Sequence, residues 1–350
     1  MRDHRGGGGR HGHPAAVDRA AQLTDGTLDP VPYGAGPCSL ASHVASMEEP
    51  RGEEPVMNPS EPLPVLVGAD GSMSGLRAVR YAALAASSLA VPLDIVHVTP
   101  SYVPMPPVRP VEPPALGNTA LEILGIAARE ARAAAPSVEV NTRLLTGSRV
   151  KALAQASGQA QLVVLGSERR SDFSRIWTGA TGTEVSAHAS CPVVVVPPEW
   201  ENAEEHRKVV VGFKSSKDAA ELLGRGFAIA AERQAELVIV HAWKLPSAYD
   251  DIIESRVAVD EFRRLSIATI EPLVKDLRTA YPQVPVRIEA LHAQAAYALV
   301  AEARDADLVL LMRSSSGTLP AHLGRTARAV LRDAGCPVEV LVPAPSPGMR

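Results

Sequence analysis

The chain has 350 residues, 46% of them hydrophobic and 21% charged, with a formal net charge of −4. This is an ordinary globular composition at a length that suits about two domains, and no basic block marks a nucleic-acid surface. The longest apolar runs, such as Val193–Val196 and Leu308–Met312, fall far short of the ~20 residues that span a bilayer, so no membrane partner is expected. The N-terminus lacks the apolar stretch of a secretory signal, and three cysteines (Cys38, Cys191, Cys336) are too few for a disulfide framework, so a cytoplasmic location is expected.

Residues 1–62 are rich in Gly, Pro, Ala and charge and show no sustained periodicity. Such a stretch buries too little apolar surface to offset the entropy of ordering, and a disordered tail is expected. The alternative is that Met47 or Met57 is the true start. His4, His11 and His13 lie in this stretch without cysteines or carboxylates at ligand spacing, so no metal site is expected.

From residue 63 the pattern changes. Leu63–Gly68 is a short apolar run that ends in the turn Asp70-Gly71-Ser72, which predicts a buried strand. Ser74–Ala90 predicts a helix, with Ser72 or Ser74 placed to cap it. A strand over Leu93–Val98, a proline-rich loop over Pro100–Pro114 and a helix over Asn118–Ala135 follow. The remaining expected elements are a strand at Val138–Leu145, a helix at Ser148–Ser157, a strand at Gln161–Gly166, a helix at Thr183–Ala189 and a strand at Pro192–Val196. Strands alternating with helices imply a parallel sheet covered on both faces, and continuous Val/Leu runs suit strands buried on both sides.

The pattern then recurs. Val209–Gly212 echoes Val65–Gly68, Val238–His241 echoes Asp94–His97, and Cys336-Pro337-Val338 echoes Cys191-Pro192-Val193. The offsets are 212 − 68 = 144, 241 − 97 = 144 and 336 − 191 = 145. A near-constant offset at three landmarks signifies internal duplication. The expected organisation is a tail at 1–62, a first domain at 63–198, a linker at 199–206, a second domain at 207–344 and a short tail at 345–350.

These landmarks resemble the universal stress protein family: the opening Val67-Gly68-Ala69-Asp70-Gly71-Ser72, the strand end His97-Val98 and the closing Cys191–Val196. The resemblance implies an α/β fold of two tandem doubly wound, five-stranded parallel sheets, Rossmann-like and similar to the adenine nucleotide alpha hydrolase fold. It also implies ATP-type ligands at the carboxyl edge and dimers through the last strand. With two copies in one chain, edge pairing becomes an intramolecular pseudo-dimer; a homodimer stays open. The physics of the fold puts a ligand at the same place. In such a sheet, ligands sit beyond the strand ends where strand order reverses, here between the first and fourth strands. Glycine at such an end lets backbone N–H groups approach a phosphate, and the next helix N-terminus favours negative charge.

Carried over from the family, Asp70, preceded by Ala69, accepts from an adenine amino group, and the Val98 backbone holds the ring edge. Asp70 has a second reading as a turn residue that caps a helix. His97 is expected to be a packed, hydrogen-bonded strand residue. Nucleotide-binding members carry G-x2-G-x9-G-[S/T] after the fourth strand. Here the window reads Gly166-Ser167-Glu168-Arg169, nine residues, then Gly179-Ala180-Thr181. The outer glycines keep the spacing, whereas Arg169 replaces the middle glycine, Ala180 the hydroxyl residue, and Thr181 falls one position late. Arg169 either obstructs the phosphate path or binds phosphate through its guanidinium. In the second repeat Lys214 matches Asp70, Ser215 matches Gly71 and Met312 matches Gly166, which predicts no conventional ATP site. Lys214, Arg313 and Arg325 read as surface charge, with binding of another anion as the alternative.

The expectation is a non-catalytic stress-response protein with a partly degenerate site for ATP, or another adenine nucleotide with Mg2+, in the first repeat. An interaction scaffold with an unidentified protein partner and a slow nucleotide hydrolase are the alternatives. No G-x4-G-K-[S/T] loop or Ser-His-Asp order supports catalysis, and Cys191 and Cys336 read as buried small residues.

Overall fold

The computed structural model describes residues 62–101, 113–168, 180–201, 206–216, 219–243, 256–314 and 323–343, without the side chains of 113–118, 180 and 256–258. All of them belong to one compact unit, residues 58–350. The segment expected to be a tail, with its three histidines, lies outside the described residues.

The first repeat runs β1 (Val65–Gly68), α1 (Met73–Leu89), β2 (Leu93–Thr99), α2 (Pro113–Ala134), β3 (Val140–Thr146), α3 (Arg149–Ala156), β4 (Leu162–Gly166), α4 (Ala180–His188) and β5 (Val193–Val196). The second runs β6 (Lys208–Gly212), α5 (Ala219–Glu232), β7 (Glu236–Trp243), α6 (Arg256–Ala280), β8 (Val286–His292), α7 (Ala295–Glu302), β9 (Leu308–Met312), α8 (Arg325–Asp333) and β10 (Val338–Leu341). Helix α2 is already helical at Pro113, the first described residue after 101, ahead of the expected Asn118. Helix α4 starts at Ala180, not Thr183, which brings Thr181 and Gly182 into its first turn.

The strands form one ten-stranded sheet in the order β3-β2-β1-β4-β5-β10-β9-β6-β7-β8. Every pairing is parallel except β5 with β10, which run antiparallel in the register Val338 to Val195, Glu339 to Val194 and Val340 to Val193. The expected pseudo-dimer is therefore present within one chain. It covers two strand edges that would otherwise expose unpaired N–H and C=O groups. In each repeat strand order reverses where β1 meets β4 and where β6 meets β9.

The two faces of the sheet differ. On one, Leu66, Val98, Val163 and Val195 continue without a break into Val210, Val240, Val309 and Val340, a single core shared by both repeats. On the other, the α1–α2 side and the α5–α6 side form separate cores. Between those cores, over the seam, lies a charged depression of about 2210 Å3, open mouth included, lined among others by Tyr81, Arg225, Arg233 and Glu339. Burying each valine of β5, all at or below 4% exposure, stabilises by roughly 1.5–3 kcal/mol before entropy is counted. Among the described residues no helix is long and apolar enough to cross a membrane.

Candidate functional site

A cleft of about 660 Å3, its open mouth included, sits at the carboxyl edge of the first repeat, at the point of strand-order reversal. Of the residues singled out from sequence, Ala69, Asp70, Val98, Gly166 and Thr181 line it. Ser167 lies one residue beyond Gly166, with its N–H and hydroxyl both directed to the Val196 carbonyl (2.9 and 3.3 Å). Ala180 opens α4; its side chain, and the whole of Arg169 and Gly179, lie outside the described residues.

The turn after β1 is tied to the first turn of α1. Gly71 adopts φ +83°, a conformation that L side chains resist. Asp70 Oδ1 accepts from the Ser72 N–H at 3.0 Å and from the Ser72 hydroxyl at 2.6 Å. Ser72 Oγ in turn accepts from the Gly75 N–H at 3.0 Å, so Ser72, not Ser74, is the N-cap. Ser74 Oγ lies 2.9 Å from Ser72 Oγ and 3.4 Å from Glu168 Oε1; since Ser72 gives its hydroxyl proton to Asp70, the single Ser74 proton serves one of these two contacts at a time. Asp70 is thus the turn residue of its second reading, and it faces the cleft as well.

Gly166 has a structural duty. A Cβ placed there would lie 2.4 Å from the Ser74 carbonyl oxygen and 2.6 Å from its carbon. The first turn of α1 passes directly over the end of β4, and only glycine leaves room for it. The family glycine at this position is required by that backbone crossing, whatever it does for a ligand.

His97 contacts the Ala69 carbonyl through Nδ1 at 2.7 Å, so Nδ1 carries the proton, because a carbonyl only accepts. His241 makes the same contact with the Phe213 carbonyl at 3.1 Å, and 241 − 97 = 213 − 69 = 144. The pair persists in the repeat whose motif is lost, so the expected packing role holds: it ties the end of the second strand to the turn after the first.

Among the residues that sequence reasoning did not single out, Arg149, Leu153 and Glu168 also line the cleft. Arg149 is the first residue of α3, and its position just after the Gly147-Ser148 turn was the available signal. Ser74 and Gly75 from α1, Arg149 from α3 and Thr181 and Gly182 from α4 bring three helix N-termini to one cleft. Unpaired N–H groups and aligned peptide dipoles make such an arrangement attractive to anions. Val96, Val98, Leu153 and Leu165 supply apolar wall.

At the corresponding edge of the second repeat, Phe213 stands for Ala69 and is 5% exposed within the α5–α6 core, against which Met312 also packs. Arg313 is no free surface cation. Its guanidinium donates to the carbonyls of Ser186, Ala187 and Ala189 at the far end of α4. Cys191 and Cys336 are buried, and burial pushes both thiols up to about 12.

The sequence model of the universal stress protein family matches residues 63–197 and again 205–342. The chain belongs to the universal stress protein family. It is 30% identical over 292 residues to a universal stress protein of Mycolicibacterium smegmatis, covering 80% of this chain and 97% of that one. It is 29% identical over 286 residues to universal stress protein Rv2005c of Mycobacterium tuberculosis, covering 79% and 96%. A crystal structure of a universal stress protein from Archaeoglobus fulgidus DSM 4304 superposes with a TM-score of 0.57 at 18% identity, covering 80% of this chain and 98% of that one, which supports the fold alone. The tandem arrangement and the Rossmann-like α/β fold expected from sequence are both present in this family member.

Proposed function

We propose that the first repeat binds ATP or another adenine nucleotide, with Mg2+ accompanying the phosphates, and that the second repeat has given up this role. The observation that carries the reading is the meeting of three helix N-termini at the cleft between β1 and β4. Arg149 adds a cation on the phosphate side, and the Val98 backbone and Leu153 offer an edge and an apolar surface to a purine. Asp70 keeps acceptor capacity for an exocyclic amine, since only its Oδ1 is used in the turn. Among the described residues no group of three His, Cys, Asp or Glu could hold a metal, so a cation would be held chiefly by the nucleotide.

The reading is non-catalytic. Among the described cleft residues, His97 commits its proton to a carbonyl, and both Asp70 and Ser74 are engaged in the turn network. The protein acts as a ligand-responsive cytoplasmic component built from domains at 63–198 and 207–344. A scaffold reading rests on a different observation: the Ser74 backbone fills the space over Gly166 that a phosphate cradle would use.

Calorimetric titration of ATP with Mg2+ into the full chain, Asp70→Ala and Arg149→Ala separates the two. Saturable binding weakened by both substitutions supports the nucleotide reading. No heat of binding up to millimolar ATP favours the scaffold.

A further inference from the structure

Helix α4 runs from the cleft of the first repeat to a contact with the second repeat. Its first turn, Thr181 and Gly182, lines the cleft of the first repeat. Its last carbonyls are met by Arg313, which follows β9 in the second repeat. One guanidinium nitrogen, Nη1, lies 2.8 Å from the Ala189 oxygen, 3.0 Å from that of Ala187 and 3.4 Å from that of Ser186. The final carbonyls of a helix have no intrahelical partner, and a cation there also complements the negative end of the helix dipole.

Arg313 is itself firmly placed. Its backbone N–H donates to the Leu341 carbonyl on β10 at 2.9 Å. Ser167 makes the counterpart bond to Val196 in the first repeat (196 + 145 = 341), so Arg313 occupies the Ser167 position, just past the residue where Met312 replaces Gly166. The stretch that would have followed a glycine in a second ligand site instead reaches across the seam to the helix of the first.

We propose that Arg313 is a positioning residue for the cleft of the first repeat: by capping the C-terminus of α4 it fixes the helix whose N-terminus faces the phosphate end of a bound ligand. This rests on the nucleotide reading above for the identity of the ligand, but not for the capping itself. The second repeat thereby tunes the affinity of the first without contacting the ligand. Adenosine, which lacks phosphate, does not meet the end of the cleft that α4 governs.

The test uses the full chain with Arg313→Ala, Arg313→Lys and, as a surface control on the same repeat, Arg325→Ala. Dissociation constants for ATP with Mg2+ and for adenosine are measured together with amide hydrogen exchange over residues 180–189 in the absence of ligand. Arg313→Ala is expected to weaken ATP about two- to tenfold, leave adenosine unchanged and speed exchange in α4. Arg313→Lys should recover part of the loss, because an ammonium keeps the charge but cannot reproduce the guanidinium geometry. Arg325→Ala should change neither. Equal loss of ATP and adenosine in Arg313→Ala would mean general damage and overturn the proposal. Unchanged ATP affinity, or unchanged exchange in α4, would overturn it too. If the wild-type chain binds no nucleotide, the nucleotide reading fails alone: faster α4 exchange in Arg313→Ala still upholds the capping, and unchanged exchange removes it.

Discussion

Glu339 faces Val194 across the β10–β5 seam, and the two are each other's counterparts in the duplication, since 194 + 145 = 339. The pseudo-twofold axis therefore passes through this pair. Ser88 and Glu232, which are counterparts 144 residues apart, are hydrogen-bonded close to the same axis. The symmetry is geometric but not chemical. Where the first repeat places a valine, the second places a carboxylate with a side chain 2% exposed, held by Arg225 Nε at 3.0 Å. Arg225 in turn is the counterpart of Tyr81, whose hydroxyl accepts from Arg233 at 3.3 Å.

Removing the arginine takes from the buried Glu339 carboxylate its hydrogen-bonded partner. Arg225→Ala should lower stability by about 1–3 kcal/mol, because Glu339 is buried while Arg225 is a third exposed and Arg233 remains near the carboxylate. Adding Glu339→Val, which copies the first repeat, should restore most of it. Urea unfolding of the single and double variants checks this, and a double variant no better than Arg225→Ala would contradict it.

Both helices that flank the axis end in the same unusual way. Ala90 after α1 has φ 53° and Gln234 after α5 has φ 50°, the left-handed conformation in residues that carry a Cβ. The Ala90 N–H reaches back to the Ala86 and Ser87 carbonyls, so the backbone geometry is set by capping. Glycine adopts this conformation without the steric cost. Ala90→Gly and Gln234→Gly should each raise stability by about 0.5–1 kcal/mol, read as a rise in thermal midpoint.

Gly166→Ala should destabilise by about 1–3 kcal/mol with or without ligand, because its Cβ meets Ser74 backbone and not a mobile side chain. Denaturant melts in the absence of nucleotide give the answer. A variant as stable as wild type would mean that α1 can shift away from β4.

Burial raises the Cys191 and Cys336 thiols from an ordinary 9.0 to about 12. At pH 8 both should stay unreactive to iodoacetamide until urea unfolds the chain. The folded state holds these protons more tightly than the unfolded one. Their effect on stability is therefore absent below pH 9 and becomes increasingly unfavourable between about pH 9 and pH 12. Rapid alkylation at Cys191 or Cys336, located by peptide mapping of the native chain labelled at pH 8, would contradict the burial.

Much of the fold was legible because its signals are local or periodic. The apolar runs at Val65–Gly68 and Leu162–Gly166 became strands with the expected neighbours, and the constant offset announced the duplication. The last-strand pairing was legible only through the family resemblance, and it covers an edge that would otherwise be open. The site was legible where a motif residue ends a strand, as at Asp70 and Gly166. It was not legible where function depends on contacts across long separations. Nothing near Arg313 in sequence points to Ala187, 126 residues away. Nothing around Gly166 reveals that Ser74 lies over it; the glycine fitted a phosphate-binding pattern equally well. Arg149 went unnoticed because a single basic residue at a helix start is common, and only the sheet topology turns it toward the cleft.

The central claim is that one repeat keeps a ligand cleft and the other does not. The most direct measurement follows backbone amide resonances of the full chain during titration with ATP and Mg2+. The account predicts saturable shifts at residues 69–75, 98, 166–168 and 180–182, with their counterparts at 213–219, 242, 312–314 and 325–327 unmoved. Shifts centred on the second set, or none in either at millimolar nucleotide, would contradict it.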